Sequence, residues 1–114
     1  MFYLDAKLHK LMCYINCTKD VKMYGKMGDY APFLSLAVYS DADFAGCSKT
    51  MRSTSGVFMK LEGPNTHMPL AGMSVKQTAT SHSTSEAEIV AAELALRKEG
   101  LMAIELWTRL LKPF

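Results

Sequence analysis

The sequence has little cysteine, and none of it is spaced as a cross-linked scaffold. Cys13, Cys17 and Cys47 are three thiols in 114 residues, an odd number that favours reduced cysteines in a reducing compartment. His9, Cys13 and Cys17 recur every four residues and could share a helix face. A zinc site needs a fourth ligand and usually a tighter knuckle, so the plain reading is semi-buried structural cysteines. No apolar run approaches the ~20 residues that cross a bilayer, which excludes a membrane helix. The first five residues, Met1-Phe2-Tyr3-Leu4-Asp5, lack the basic-then-apolar pattern of a signal peptide. The expectation is an intracellular chain, cytoplasmic or nuclear, with no membrane partner. There is no Gly-x-x-x-x-Gly-Lys phosphate loop and no Gly-x-Ser-x-Gly elbow. Ser81-His82-Ser83 are adjacent in sequence, so His82 reads as a loop residue. There is no internal repeat and no low-complexity tract. Beyond Asp43 the sequence contains no further aspartate.

What is present fits one globular domain. Hydrophobic residues make up 49% and charged residues 21%, and the length supports a single core. Nine methionines read as core gap-fillers. The net charge of +2 says little, but its distribution says more. Five lysines between Lys7 and Lys26 face only Asp20, and Lys49, Arg52, Lys60 and Lys76 face only Glu62 between residues 44 and 80. Such an excess suits a polyanionic substrate, although charge alone is equally consistent with ordinary solvated lysines.

Residues 5–17 place Leu8, Leu11, Met12 and Ile15 at helical spacing. Residues 18–32, with Gly25, Gly28, Asp29 and Pro32, read as a linker holding a short strand near Val21–Tyr24. Leu34–Tyr39 is a candidate buried strand, and residues 45–49 form a loop. Thr54–Glu62 and Thr66–Val75 are two more strands around the Gly63-Pro64-Asn65 turn, the last bent at Pro69 and Gly72. Short connections imply an antiparallel meander. From Ser85 the pattern turns helical, with Ala87, Val90, Ala91 and Leu94 on one side and Ile89 and Leu96 on the other. A helix apolar on two sides packs between layers. Gly100 weakens or breaks it, and Leu101–Leu111 continues with Leu106, Trp107, Leu110 and Leu111 as an apolar face. The fold class is α/β in the α+β sense. Residues 1–33 form an N-terminal helix and connector, and residues 34–114 the main domain.

The chemistry concentrates in Asp41, Asp43, Glu86 and Glu88. Carboxylates at i and i+2 of a strand point to one side. They either share a hard cation or simply end the strand, since Asp favours turns. A nuclease uses two such ions about 4 Å apart. Glu86 and Glu88 each fit a capping box, behind Ser83 and Ser85 respectively, and complement the helix dipole. Lys76 could contact a phosphate as a point charge, or be an exposed lysine at a strand end.

Taken together, Tyr39-Ser-Asp-Ala-Asp-Phe-Ala-Gly46, Arg52-Ser-Thr-Ser-Gly56-Val-Phe, Ser74-Val-Lys-Gln77 and Ser83-Thr-Ser-Glu-Ala-Glu88 resemble the ribonuclease H domain of copia-type (LTR) retrotransposon polyproteins. Trp107 with Arg109-Leu-Leu111 resembles the end of that family's long helix. The resemblance covers about residues 34–111, and the stretch before residue 30 is more loosely similar to the connector after the reverse transcriptase. It implies a ribonuclease H-like fold in which three antiparallel strands precede a helix. It implies hydrolysis of the RNA strand of RNA–DNA hybrids with Mg²⁺ or Mn²⁺. By motif position Asp41 and Glu86 are the catalytic and metal-binding residues, Asp43 and Glu88 support them, and Lys49, Arg52 and Lys76 face the nucleic acid. Phe44 stands where the family often has Trp. The family pattern continues into a further strand carrying Cys-Asp-Asn and a later acidic residue, which this sequence does not contain. The expectation is therefore a partial domain, lacking the C-terminal part of the fold, incomplete or inactive as this chain alone. The alternative is a non-catalytic nucleic-acid-binding or structural remnant of a retroelement polyprotein. An unpaired sheet edge would invite homodimerisation.

Overall fold

The computed structural model describes residues 2–110. Helix α1 spans Phe2–Thr18, longer at each end than the periodicity predicts, with Asp5 in its first turn complementing the dipole. Three strands follow: β1 (Ser35–Asp43), β2 (Thr54–Gly63) and β3 (Thr66–Lys76). They form one antiparallel sheet in the order β1-β2-β3. Helix α2 (Thr84–Ala95) then runs through a π-helical turn, Leu96–Gly100, into α3 (Leu101–Leu110). This is the expected α+β meander followed by a helix. No described helix is long and apolar enough to cross a membrane.

Strand register explains which side chains meet. Asp43 pairs with Thr54, Asp41 with Gly56 and Tyr39 with Phe58 across β1–β2. Across β2–β3, Gly56 pairs with Ser74 and Thr54 with Lys76. Pairing slips between Met59–Ala71 and Lys60–Pro69, leaving Leu70 as one extra residue in β3. Pro69 has no amide hydrogen to give a ladder, and a bulge in an edge strand is where that is tolerated. The bend foreseen at Pro69 is thus a register shift.

Helix α2 covers one face of the sheet. Its Ala87, Ala91 and Ala95 are buried together with Val57 and Leu61 of β2. Alanines at every fourth position let the helix backbone lie close to the strands. The opposite face of the sheet carries Asp41, Asp43, Tyr39 and Phe58, all exposed. The apolar second side of α2 is also exposed: Ile89 is 69% and Leu96 60% accessible. Among the described residues nothing covers that side, so the expectation of a helix held between two layers is corrected to a helix on one layer. At Gly100 the chain stays helical, because the π-turn absorbs one extra residue instead of breaking the helix. Leu106 and Leu110 of α3 remain exposed, and Leu111 lies outside the described residues.

The connector forms no strand at Val21–Tyr24. Its single ladder contact is a bridge between Lys26 and His67, with N–H to O distances of 2.8 and 2.9 Å. The reason lies three residues further on, where a clasp fixes the chain to the β2–β3 turn. The Asp29 carboxylate accepts from Asn65 N at 2.7 Å and from Asn65 Nδ2 at 3.3 Å. Gly28 N and Asp29 N both donate to Thr66 Oγ1 at 3.1 Å. A Cβ on Gly28 would sit 2.9 Å from Asn65 O, so this close approach requires glycine.

Candidate active site

The end of the sheet that carries Asp41 and Asp43 is held by hydrogen bonds rather than by bulk apolar packing. The largest fully buried side chains are Ser53 and Ser55. Gln77, just beyond β3, is buried and uses every polar group it has. Its amide nitrogen donates to Ser55 Oγ at 3.0 Å and to Ala87 O at 2.9 Å. Its amide oxygen accepts from Ser81 Oγ at 3.0 Å, and its backbone N–H donates to Ser53 O at 2.9 Å. Ser55 pairs with Ala42, between the two aspartates. One side chain therefore ties the first turn of α2 to the acidic end of β1.

Asp41 and Asp43 project on the same side, as their spacing requires, but on the face opposite α2. The alternation fixes this: Ser55, Val57 and Leu61 face the helix, so their partners Ala42, Ser40 and Leu36 do too. Asp41 borders a shallow recess of about 250 Å³ lined by Tyr39, Gly56 and Phe58. Gly56 opposite Asp41 leaves that recess without a side chain in its floor. Asp43 folds against the following turn, where a Cβ on Gly46 would collide with its carboxylate. That turn needs Ala45 at φ 51°, a left-handed conformation secured by the bond from Ala45 N to Ser53 Oγ at 3.1 Å.

The glutamates divide their roles. Ser83 is the N-cap and accepts from Glu86 N at 3.1 Å, while Glu86 Oε2 accepts from His82 N at 2.6 Å. Glu86 is thus engaged in a capping arrangement and fully exposed. Glu88 follows the buried Ala87, flanks the sheet-facing stripe and is half-buried. Ser85 does not cap, since the helix already begins at Thr84. Sequence spacing could not rank the two glutamates, because both fit a cap. Helical phase relative to Ala87 and Ala91 does.

Among the described residues no group of three or more His, Cys, Asp or Glu side chains is placed to hold a metal ion. The four carboxylates are brought to one end of the molecule but not to one point. The donor set present does not fit a two-metal centre, which needs several carboxylates converging on ions about 4 Å apart.

The three basic residues lie around the β1–β2 loop. Lys49 Nζ sits 4.8 Å from the centre of the Tyr3 ring, and Lys7 Nζ lies 4.6 Å from the same ring. Arg52 is exposed, and its carbonyl accepts from Cys47 N at 3.4 Å. Lys76 lies beside Cys47. Its ammonium, then the Thr50 hydroxyl and the backbone N–H groups of Thr50 and Lys49, hold the Cys47 thiol down to about 6. Tyr3, Lys7 and Cys47 were not legible as site residues, since nothing in the sequence signals that the start of α1 meets this loop. A larger recess of about 660 Å³ lies at the far end of the sheet, by Lys26, Lys60 and His67, away from the aspartates. Comparison of the chain with protein-family models, with curated proteins and with solved structures finds no match.

Proposed function

We propose that the chain is a ribonuclease H-type module of copia-type retroelement origin that engages RNA–DNA hybrid on the open face of its sheet and does not turn it over by itself. The observation that carries this reading is the Gln77 bridge, which holds the first turn of α2 at the same end of the sheet as Asp41 and Asp43. A strand carboxylate beside a helix-start carboxylate is the framework on which metal-dependent phosphodiester cleavage is built. Asp41 and Glu88 or Glu86 would be this chain's contribution to a Mg²⁺ or Mn²⁺ site, whose chemistry is activation of water and stabilisation of the leaving oxygen. With fewer than three donors at one point, that site needs carboxylates from another chain or from the rest of a polyprotein. The exposed residues Lys49, Arg52 and Lys76 supply phosphate contacts that need no metal.

The test is cleavage of a labelled RNA–DNA hybrid with and without Mn²⁺. Wild type would be compared with Asp41→Asn, Glu86→Gln and Glu88→Gln, and hybrid affinity would be measured in EDTA. The reading expects binding in EDTA and no turnover by the isolated chain. Cutting would return only with an added acidic partner, and would be lost in Asp41→Asn and Glu88→Gln but retained in Glu86→Gln. Absence of hybrid binding by a folded chain would sink it. Metal-dependent cutting by the chain alone would overturn the statement that it cannot complete the site.

A further inference from the structure

The N-terminal helix lies outside the segment that carries the nuclease motifs, yet its first turns reach the basic loop. Lys7 and Lys49, 42 positions apart in the chain, place their ammonium groups 4.6 and 4.8 Å from one Tyr3 ring. Lys76 stands next to Cys47 in the same loop, and Cys47 is close enough for its charge to act on Lys7. Among the described residues no ion pair involves Lys7, Lys49 or Lys76. The ion pairs lie elsewhere, at Lys60–Glu62, Arg97–Glu93 and Arg109–Glu105. Three cations thus gather around one ring and one thiol without a carboxylate. Converging like charges repel, and the ring quadrupole offsets only part of that. An anion bound among them removes the repulsion.

Lys76 pairs with Thr54, and Thr54 with Asp43, so Lys76 shares the open face and the outermost row of the sheet with Asp43. The cluster therefore borders the open face at its acidic end. We infer that Tyr3, Lys7, Lys49 and Lys76 form a phosphate-binding site through which the N-terminal helix anchors a nucleic-acid backbone running across that face. The inference rests on the functional reading above for its choice of polyanion. A single phosphate would be held by the ammonium groups, and Tyr3 keeps two of them together in its absence.

The test is fluorescence anisotropy of a labelled RNA–DNA hybrid in EDTA at several salt concentrations. Wild type would be compared with Lys7→Gln/Lys49→Gln and with a control, Lys19→Gln/Lys22→Gln, in the exposed connector. Every phosphate that a lysine no longer neutralises lowers the slope of log affinity against log salt by about 0.9. The Lys7/Lys49 variant should therefore drop by nearly two units of slope while the control keeps its own. Tyr3→Ala should weaken binding without an equal change in slope. Equal slopes for both double variants would overturn this site while leaving hybrid binding intact. No binding by wild type would overturn both readings. Equal binding to hybrid and to single-stranded DNA, with the slope change intact, would keep the anchor and remove the hybrid-specific reading.

Discussion

Gln77 shows how much structure one side chain can carry. Its amide joins β2, the α2 backbone and the loop hydroxyl of Ser81, all inside the protein. Replacing it with alanine leaves the Ser55 hydroxyl, the Ala87 carbonyl and the Ser81 hydroxyl short of a partner. Each buried polar group left unpaired costs about 1–3 kcal/mol. Gln77→Ala should lower unfolding free energy in urea by at least that, and a loss under ~0.5 kcal/mol would show that water replaces the amide. Glu86 teaches the converse. The Ser83-to-Glu86 spacing was readable as a capping box, and the structure forms the Ser83 half of it. Its other half shifts by one residue, because the carboxylate takes His82 N instead of Ser83 N. Asp41 and Asp43 were readable as sharing one side. Which face that would be was not, since alternation fixes only relative orientation and α2 could have settled on either face.

Among the elements, the strands were the most legible, for β-branched and apolar runs between Gly, Pro and Asn leave little choice of boundary. The connector was the least. Val21–Tyr24 has strand-forming residues, but strands need a partner edge, and the Asp29 clasp brings only Lys26 to β3. That clasp depends on charge. The Thr66 hydroxyl, with the Asn65 N–H groups and the nearby Lys26, holds the Asp29 carboxyl below its ordinary value of 3.8. A carboxyl depressed in the folded protein stabilises the closed clasp above its unfolded value, and this is lost as pH falls through the folded value. Amide exchange at residues 26–29, corrected for intrinsic rates, should therefore accelerate as pH drops below about 4, and Asp29→Asn should remove that pH dependence. An unchanged profile in Asp29→Asn would assign the acid sensitivity to other groups.

The whole molecule is too extended for its length. Its radius of gyration is 18.0 Å and its extents are 58 × 38 × 25 Å, where a compact chain of this size has a radius of about 13 Å. Its accessible surface of 9100 Å² exceeds the value of about 6,200 Å² for a monomer of this mass. The excess is large beside the ~1,600 Å² of a standard protein interface. It includes Leu4, Leu8 and Ile15 on α1 and Leu101, Ile104 and Leu110 on α3. Strand β1 adds an open edge to these apolar surfaces, and an open edge is a template for pairing. Sedimentation velocity between ~1 and ~100 μM should show a coefficient that rises with concentration, by mass action on a self-associating chain. A constant coefficient matching the extended monomer would show that these surfaces stay uncovered without a different partner.

The π-turn at Leu96–Gly100 acts as a change of reading frame within one helix. Each residue added or removed turns everything downstream by about 100°. Upstream, the frame is set by Ala87, Ala91 and Ala95 on the sheet. Downstream, it is set by whatever Trp107 and Leu110 meet. Removing one residue from this turn would leave α2 and the acidic end of the sheet untouched, yet rotate the entire far half of the rod and present a different stripe to its neighbours. The turn is where this chain can change whom it touches without changing what holds it together.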